Sequence, residues 1–389
     1  MPARTHRCAF ALVSLCFLFF VTLFAPTTPA QTPTAAQLDA IFSKVVTAPN
    51  QPGLAVLIRQ NGRTLFERAY GMRDLRSNLS ITARTNFRLA SCTKQFTAMA
   101  IMLLVHDGKL RYDERLTDIF PNFPAYGRTI TIRNLLNHTS GLIAYEDLMD
   151  KMYAGKEWYQ IPQISDAQVL ALAEQQTGTK FPPGTKWEYS NGGYCILAMI
   201  VQKISGMPFA EFLQRRIFAP LQMDHTVAHV YGKDTIANRA YGYTNDAGVW
   251  LETDQSPTSA TLGDGGIYSS LDDLAKWDDA LRNHTLLSPA EFQPAITPEN
   301  SAAVLPAAVD DLPKAAAEKP LAYGFGWFLD PYRGHPRMWH YGSTIGFNSI
   351  IERFTDNHLT IIILANRTDA DLAALALRSA DLYLPASEK

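Results

Sequence analysis

The sequence is poor in cysteine, with four in 389 residues. Two of them, Cys8 and Cys16, lie in an N-terminal segment that reads as removable. The remaining pair, Cys92 and Cys195, is too small a set for a structural zinc site. Each flanks a motif on an apolar run, where a buried free thiol is expected. There is no excess of charge of either sign. The formal net charge of −2 gives no footing for nucleic acid or an anionic membrane surface as a partner. No Gly-x-Ser-x-Gly occurs, which argues against a nucleophile elbow. No His-Glu-x-x-His occurs and the other histidines are scattered, so no metal is expected. The glycines from Gly263 to Gly266 make neither a Walker loop nor a dinucleotide fingerprint, and no cofactor is implied. No internal repeat is present, and the nearest approach to low complexity is the Ala/Pro/Asp stretch from Ala302 to Lys319.

What is present begins with a targeting pattern. Arg4, His6 and Arg7 form a basic start, and Cys8 to Ala25 is apolar apart from Ser14 and Thr22. Thr28-Pro29-Ala30 then offers small residues ahead of a cut before Gln31, the layout of a cleaved export signal. Retention as a membrane anchor is the alternative, since the run is near the lower limit for a span. Cys16 lacks the preceding small residue of a lipoprotein site. Removing residues 1–30 takes two arginines from a formal charge of −2 and leaves −4. The expected location is periplasmic or secreted, with the membrane a partner only if the segment stays.

The chemistry-bearing stretch is FRLASCTKQFTAMAIMLLVHDGK. Gln95 to Val105 is apolar almost all round, the pattern of a helix buried in a core, and Asp107-Gly108 is a plausible stop. Ser91 then stands at the helix start with Lys94 one turn on, on the same face. Burial lowers a lysine pKa, and a neutral amine can take the proton of a serine hydroxyl. The helix start adds free N–H groups that suit a developing oxyanion. A serine N-cap followed by a solvated lysine has the same spelling, so the pair needs company. It has it: FPPGTKWEYSNGGYCILAMIV carries Tyr189-Ser190-Asn191, and MWHYGSTIGFNSIIERF carries His340-Tyr341-Gly342. Tyr189 follows the stiff Pro182-Pro183-Gly184 turn and can project a phenol into a cleft. Asn191 can hold a substrate carbonyl, orient Lys94 or cap the following helix.

In order, Ser-x-x-Lys, Tyr-x-Asn and a basic-x-Gly triplet resemble the serine β-lactamase and penicillin-binding-protein superfamily, above all its class C-like branch. LLNHTSGL (Leu135 to Leu142) and GDGGIYSSLDDLAKW (Gly263 to Trp277) resemble that branch's connecting segments, and the resemblance runs from about Leu54 to Asn366. It implies catalysis by Ser91, Lys94 and Tyr189. It implies an oxyanion site from the Ser91 and Ser343 N–H groups, with Asn191, His340 and Gly342 at the substrate. His340 stands where the penicillin-recognising members carry a lysine. An imidazole is largely neutral near pH 7, which favours ester or D-amino-acid amide hydrolysis over β-lactam turnover. His138-Thr139-Ser140-Gly141 reads as a helix end and turn with a structural role or a place at the cleft rim.

The expected fold is α+β. Gly53 to Arg59 and Thr64 to Tyr70 read as strands joined by Gln60-Asn61-Gly62-Arg63, a hairpin signal. Gly324 to Leu329, Arg337 to His340, Ile345 to Phe354 and Leu359 to Ala365 read as strands near the other end. Ala35 to Val46 and Asp369 to Leu382 read as helices. One antiparallel sheet built from both chain ends and flanked by helices accounts for these. The sheet lobe takes about 31–90 and 320–389, and a mostly helical lobe takes about 91–319, with the site between them. The expected activity is that of an exported serine hydrolase cleaving an ester or amide through an acyl-enzyme on Ser91. Its partner is a small-molecule or peptide substrate, including a peptidoglycan-derived one. The alternatives are a penicillin-binding or sensor-like protein without efficient turnover, or a true β-lactamase.

Overall fold

A computed structural model describes Met1 and residues 33–298 and 322–384. The targeting segment 1–30, with Cys8 and Cys16, and the stretch Ala302 to Lys319 lie outside the described residues. The described residues of 33–384 form one compact unit.

Its framework is a seven-stranded antiparallel sheet. The spatial order is Ala322–Tyr323, Phe328–Tyr332, His335–Thr344, Phe347–Phe354, Leu359–Ala365, Leu54–Gln60, Arg63–Tyr70. The two chain ends meet where Leu54 pairs with Ala365 and Gln60 with Leu359, as the expectation of one shared sheet requires. The first hairpin turns at Asn61 (φ 52°) and Gly62 (φ 76°), the positive-φ pair its Asn-Gly sequence favours. Leu359–Ala365 is buried at every position, because both faces of the sheet are covered. Leu54, Val56, Ile361 and Ile363 face the terminal helices Ala35–Phe42 and Leu372–Ala380. Ala55, Leu57, Ile362 and Leu364 face the larger core that contains the helices Lys94–His106 and Asn191–Ser205. On that side Asp278 of the helix Leu271–Asn283 accepts hydrogen bonds from Arg59, Arg353 and Thr360, on three neighbouring strands.

Two expectations are corrected. Gly324 to Leu329 is not one strand: Gly324 N–H bonds to the Trp327 carbonyl at 2.9 Å and Gly326 has φ 77°. That turn delays the strand to Phe328–Tyr332. The middle of the chain is less helical than its pattern suggests. It holds a small sheet of Phe87–Arg88, Ile267–Ser269 and Val227–Ala228 and a hairpin of Tyr243–Asp246 with Val249–Glu252. These strands are too short to leave a readable alternation. Among the described residues no single helix is long and apolar enough to cross a membrane.

Candidate active site

From Thr85 to Leu104 every residue is buried except Ser91. It sits in a 3₁₀ turn, Ala90–Thr93, that runs directly into the helix Lys94–His106. Ala90 holds φ 46°, a left-handed conformation costly for a residue with a Cβ. The turn is held against two strands. Leu89 N–H bonds to the Ile267 carbonyl at 2.8 Å, Ile267 N–H to Thr93 Oγ1 at 3.2 Å, and Cys92 Sγ to the His340 carbonyl at 3.2 Å. Cys92 and Cys195 are both free and buried, as expected.

Lys94 is fully buried. Its Nζ lies 3.0 Å from Ser91 Oγ, 2.8 Å from Asn191 Oδ1 and 3.0 Å from the Asp264 carbonyl. These three acceptors match the three donors of an ammonium. Burial nevertheless pushes its pKa down to about 8, against the opposing charges of Asp264 and Glu146. Asn191 is oriented from behind: its Nδ2 donates to Glu146 Oε1 at 2.9 Å, which turns Oδ1 toward the lysine. Asn191 therefore orients Lys94 and does not cap its helix. Ser190 is the cap, accepting from Gly193 N–H.

Tyr189 closes the group. Its hydroxyl lies near the Ser91 side chain, and its ring centroid is 4.8 Å from Lys94 Nζ. Burial raises its pKa well above the usual phenol value, so it rests as the neutral phenol. The ring is fixed by His138 at 4.4 Å and by Phe328, stacked at 6.4 Å. His138 is fully buried beneath Tyr189, not at the cleft rim. It grips both neighbours of the tyrosine: Ser190 N–H donates to its Nδ1 at 3.1 Å and Glu188 N–H to its carbonyl at 3.0 Å. Its backbone has φ 62°.

Gly342 is where backbone must approach backbone. A Cβ there would lie 2.1 Å from the Leu89 carbonyl oxygen, 2.5 Å from Ser349 Oγ and 3.0 Å from Ser91 N. The next residue, Ser343, is exposed. It lies past the end of the neighbouring strand, which pairs only with residues 335–339. From Gly342 onward this edge has no neighbouring strand on that side and passes the N–H of Ser91.

His340 is a correction. Expected at the substrate, it is fully buried. Its Nδ1 meets the Tyr341 carbonyl at 2.6 Å and its Nε2 the Tyr323 hydroxyl at 2.9 Å. The carbonyl only accepts, so Nδ1 carries the proton and Nε2 accepts from Tyr323. Burial, helped by Lys94, pushes its pKa down to about 3. It is a neutral spacer in the aromatic layer behind Tyr189 and presents no ring nitrogen to a ligand. Nearby arginines do not substitute for it. Arg333 pairs with Asp381, and Arg337 with Asp330 and Glu352.

Sequence reasoning missed Glu146, Asp264, Asp166 and Tyr323. The first three carry carboxyl groups around Lys94 or the loop that holds it. Among the described residues no group of histidine, cysteine and acidic side chains is placed to hold a metal ion.

A buried lysine hydrogen-bonded to a partly exposed serine one turn before it, beneath a sheet of this order, defines a class of fold as well as a site. The chain matches the family model described as Beta-lactamase over residues 38–384 and belongs to that family of serine hydrolases. It is similar to penicillin-binding protein 4* of Bacillus subtilis (strain 168), with 31% identity over 347 residues, 85% of this chain and 71% of the relative. It is 28% identical to a D-aminopeptidase of Brucella ovis over 86% of this chain and 60% of that protein's length. Among solved structures, a D-amino acid amidase from Ochrobactrum anthropi SV3 superposes with a TM-score of 0.69 at 27% identity. That match covers 89% of this chain and 94% of the amidase.

Proposed function

We propose that this protein is an exported hydrolase that cleaves ester or amide bonds through an acyl-enzyme on Ser91, with Lys94 as the base. The carrying observation is the 3.0 Å contact of Ser91 Oγ with a lysine whose pKa burial brings down to about 8. Near neutral pH a useful fraction of that amine is unprotonated. Ser91 Oγ attacks the substrate carbonyl carbon as its proton passes to Lys94 Nζ. The carbonyl oxygen becomes an oxyanion facing the N–H groups of Ser91 and Ser343. Collapse breaks the bond to the leaving group, which takes a proton from the Tyr189 hydroxyl as Tyr189 takes one from Lys94. Water then attacks the acyl carbonyl as its proton passes to Lys94 Nζ, the bond from the acyl carbon to Ser91 Oγ breaks and the acid leaves, and Lys94 returns the proton to Ser91 Oγ. Tyr189 acts as a relay because its neutral form is the stable one.

Charge narrows the substrate. Where penicillin-recognising relatives place a cation, this chain has a buried neutral imidazole. The half-buried Glu146 carboxylate, meanwhile, stands one hydrogen bond from Asn191. A neutral ester, or an amide with a free ammonium such as a D-amino-acid amide, suits this field better than a substrate that leads with a carboxylate. The D-aminopeptidase and D-amino acid amidase relatives agree with that reading.

The experiment uses the exported protein, whose N-terminus is expected at Gln31. It compares p-nitrophenyl esters, D-amino-acid p-nitroanilides and a chromogenic cephalosporin in wild type and Ser91→Ala. The expected result is higher kcat/KM on esters and D-amino-acid anilides than on the cephalosporin, abolished by Ser91→Ala, with an active-site phosphonate attached to Ser91. Label on another serine would overturn the assignment. A stable acyl-enzyme without turnover would favour the sensor-like alternative.

A further inference from the structure

The loop Leu262–Asp264 is held more firmly than a connector needs. Lys94 Nζ donates to the Asp264 carbonyl at 3.0 Å, and Thr97, one turn further along the same helix, donates to the Gly263 carbonyl at 2.6 Å. The two preceding amides are taken from the other side by one side chain. Asp166 Oδ2 accepts from Leu262 N–H at 2.8 Å and Oδ1 from Gly263 N–H at 3.0 Å. The loop also has no slack against the helix Asn191–Ser205. A Cβ on Gly263 would lie 2.3 Å from the Tyr194 carbonyl oxygen and 2.8 Å from the Ala198 side chain.

Asp166 is not explained by its own helix. That helix, Asp166–Glu174, is already capped by Ser165, whose hydroxyl accepts from Gln168 N–H while Gln168 answers to Ser165 N–H. An acid in a first turn ordinarily gains its benefit at the surface. This one is buried, where a carboxylate is costly unless it is fully bonded. Burial, then the neighbouring Asp264, pushes its pKa up to about 7. The cost falls on a residue whose two carboxyl oxygens both bond to the loop whose next carbonyl holds Lys94, with the Cys195 thiol beside it.

We infer that Asp166 is a positioning residue for the reaction: its carboxyl fixes the Leu262 and Gly263 amides so that the Asp264 carbonyl stays at the Lys94 amine. The inference rests on the reading of Lys94 as the base. The ionisable groups around the lysine are Asp264, Cys195, Glu146 and Cys92, with the His138 and His340 imidazoles and the Tyr189 and Tyr194 phenols, and those around Asp166 are Asp264 and Cys195.

The test is Asp166→Asn and Thr97→Val, singly and together, followed by ester kinetics against pH and by thermal melting. Asp166→Asn is expected to lower kcat about tenfold or more while KM stays within about twofold, because substrate contacts are untouched. With its carbonyl acceptor loosened, the Lys94 ammonium is less favoured, so the acid limb of kcat/KM moves to lower pH. Thr97→Val shifts the limb the same way, and the double variant is no worse than Asp166→Asn alone, since both act on one loop. Loss of activity only in proportion to loss of folded protein, with the limb unmoved, overturns the inference. If Asp166→Asn does not melt cooperatively, Thr97→Val decides alone, and a wild-type limb there is equally fatal. Lys94→Ala separates the two readings. Retained activity in that variant removes the base assignment itself, whereas an inactive Lys94→Ala beside a wild-type-like Asp166→Asn removes only the role of Asp166.

Discussion

On the proposed reading of Lys94 as the base, two opposing features of its surroundings set its proton affinity. Complete burial favours the neutral amine, while three oxygen acceptors favour the ammonium, and the balance leaves its pKa at about 8. A base must be neutral to accept the serine proton, so activity should rise with pH through about 8 and fall below it. Tyr189 gives no such limb, because its pKa lies well above the ordinary value. The two roles therefore separate kinetically. Lys94→Ala should lower kcat/KM by at least ~10²-fold and erase the acid limb, whereas Tyr189→Phe should cost at least ~10²-fold and leave the limb in place. A pH series of ester hydrolysis in the three proteins checks this. A limb that survives in Lys94→Ala would show that another group is the base.

At the scale of elements, the site depends on how closely the strand His335–Thr344 lies against the 3₁₀ turn. Gly342 permits that approach, since any Cβ meets the Leu89 carbonyl oxygen at 2.1 Å. In Gly342→Ala the strand must retreat by about 1 Å, a displacement able to cost ~10²-fold in kcat. Gly108, with φ 67° and nothing within 4 Å, is the control. Gly108→Ala should destabilise by about 1 kcal/mol through backbone strain and leave kcat unchanged. Equal kinetic effects in the two variants would place the importance of Gly342 in folding rather than in the site. This dependence on local spacing also explains what the sequence makes legible. Ser91 and Lys94 lie one turn apart at one helix start, and Tyr189 and Asn191 at another, so their roles can be read from spacing. The Asn61-Gly62 hairpin and the apolar strands at both ends are similarly plain. Asp166, Glu146 and the grip of His138 are not, because they act through backbone amides, a carbonyl or another side chain's amide, partners that carry no sequence signature. The place of His340 is hidden from the sequence for a related reason. Its residue type states a titration range, but the aromatic layer of Tyr189, Tyr323 and Phe328 that buries it is assembled from distant segments.

Over the whole molecule, packing the sheet against helices on both faces takes polar groups deep enough to change which charges exist. His340 is the clearest case, and it bears on substrate choice. An unfolded histidine takes up a proton near pH ~6.5, while His340 in the folded protein resists until about 3. Between those values the unfolded state binds the extra proton, so stability is lost as pH falls through that window. The melting temperature of the wild type should therefore drop more between pH 7.5 and 5 than that of His340→Asn. The imidazole also gains no charge across this range, so the ratio of cephalosporin to ester turnover should stay flat instead of improving on acidification. Nor should His340→Lys create a carboxylate site. It would bury a second ammonium near Lys94, among tyrosine and phenylalanine rings, and an unpaired buried charge costs roughly 3–5 kcal/mol. The expected outcome is a large loss of melting temperature with no gain in cephalosporin kcat/KM. If acidification below pH 6.5 raises cephalosporin turnover relative to ester turnover, His340 does reach the substrate as a cation, and its assignment to the aromatic layer fails.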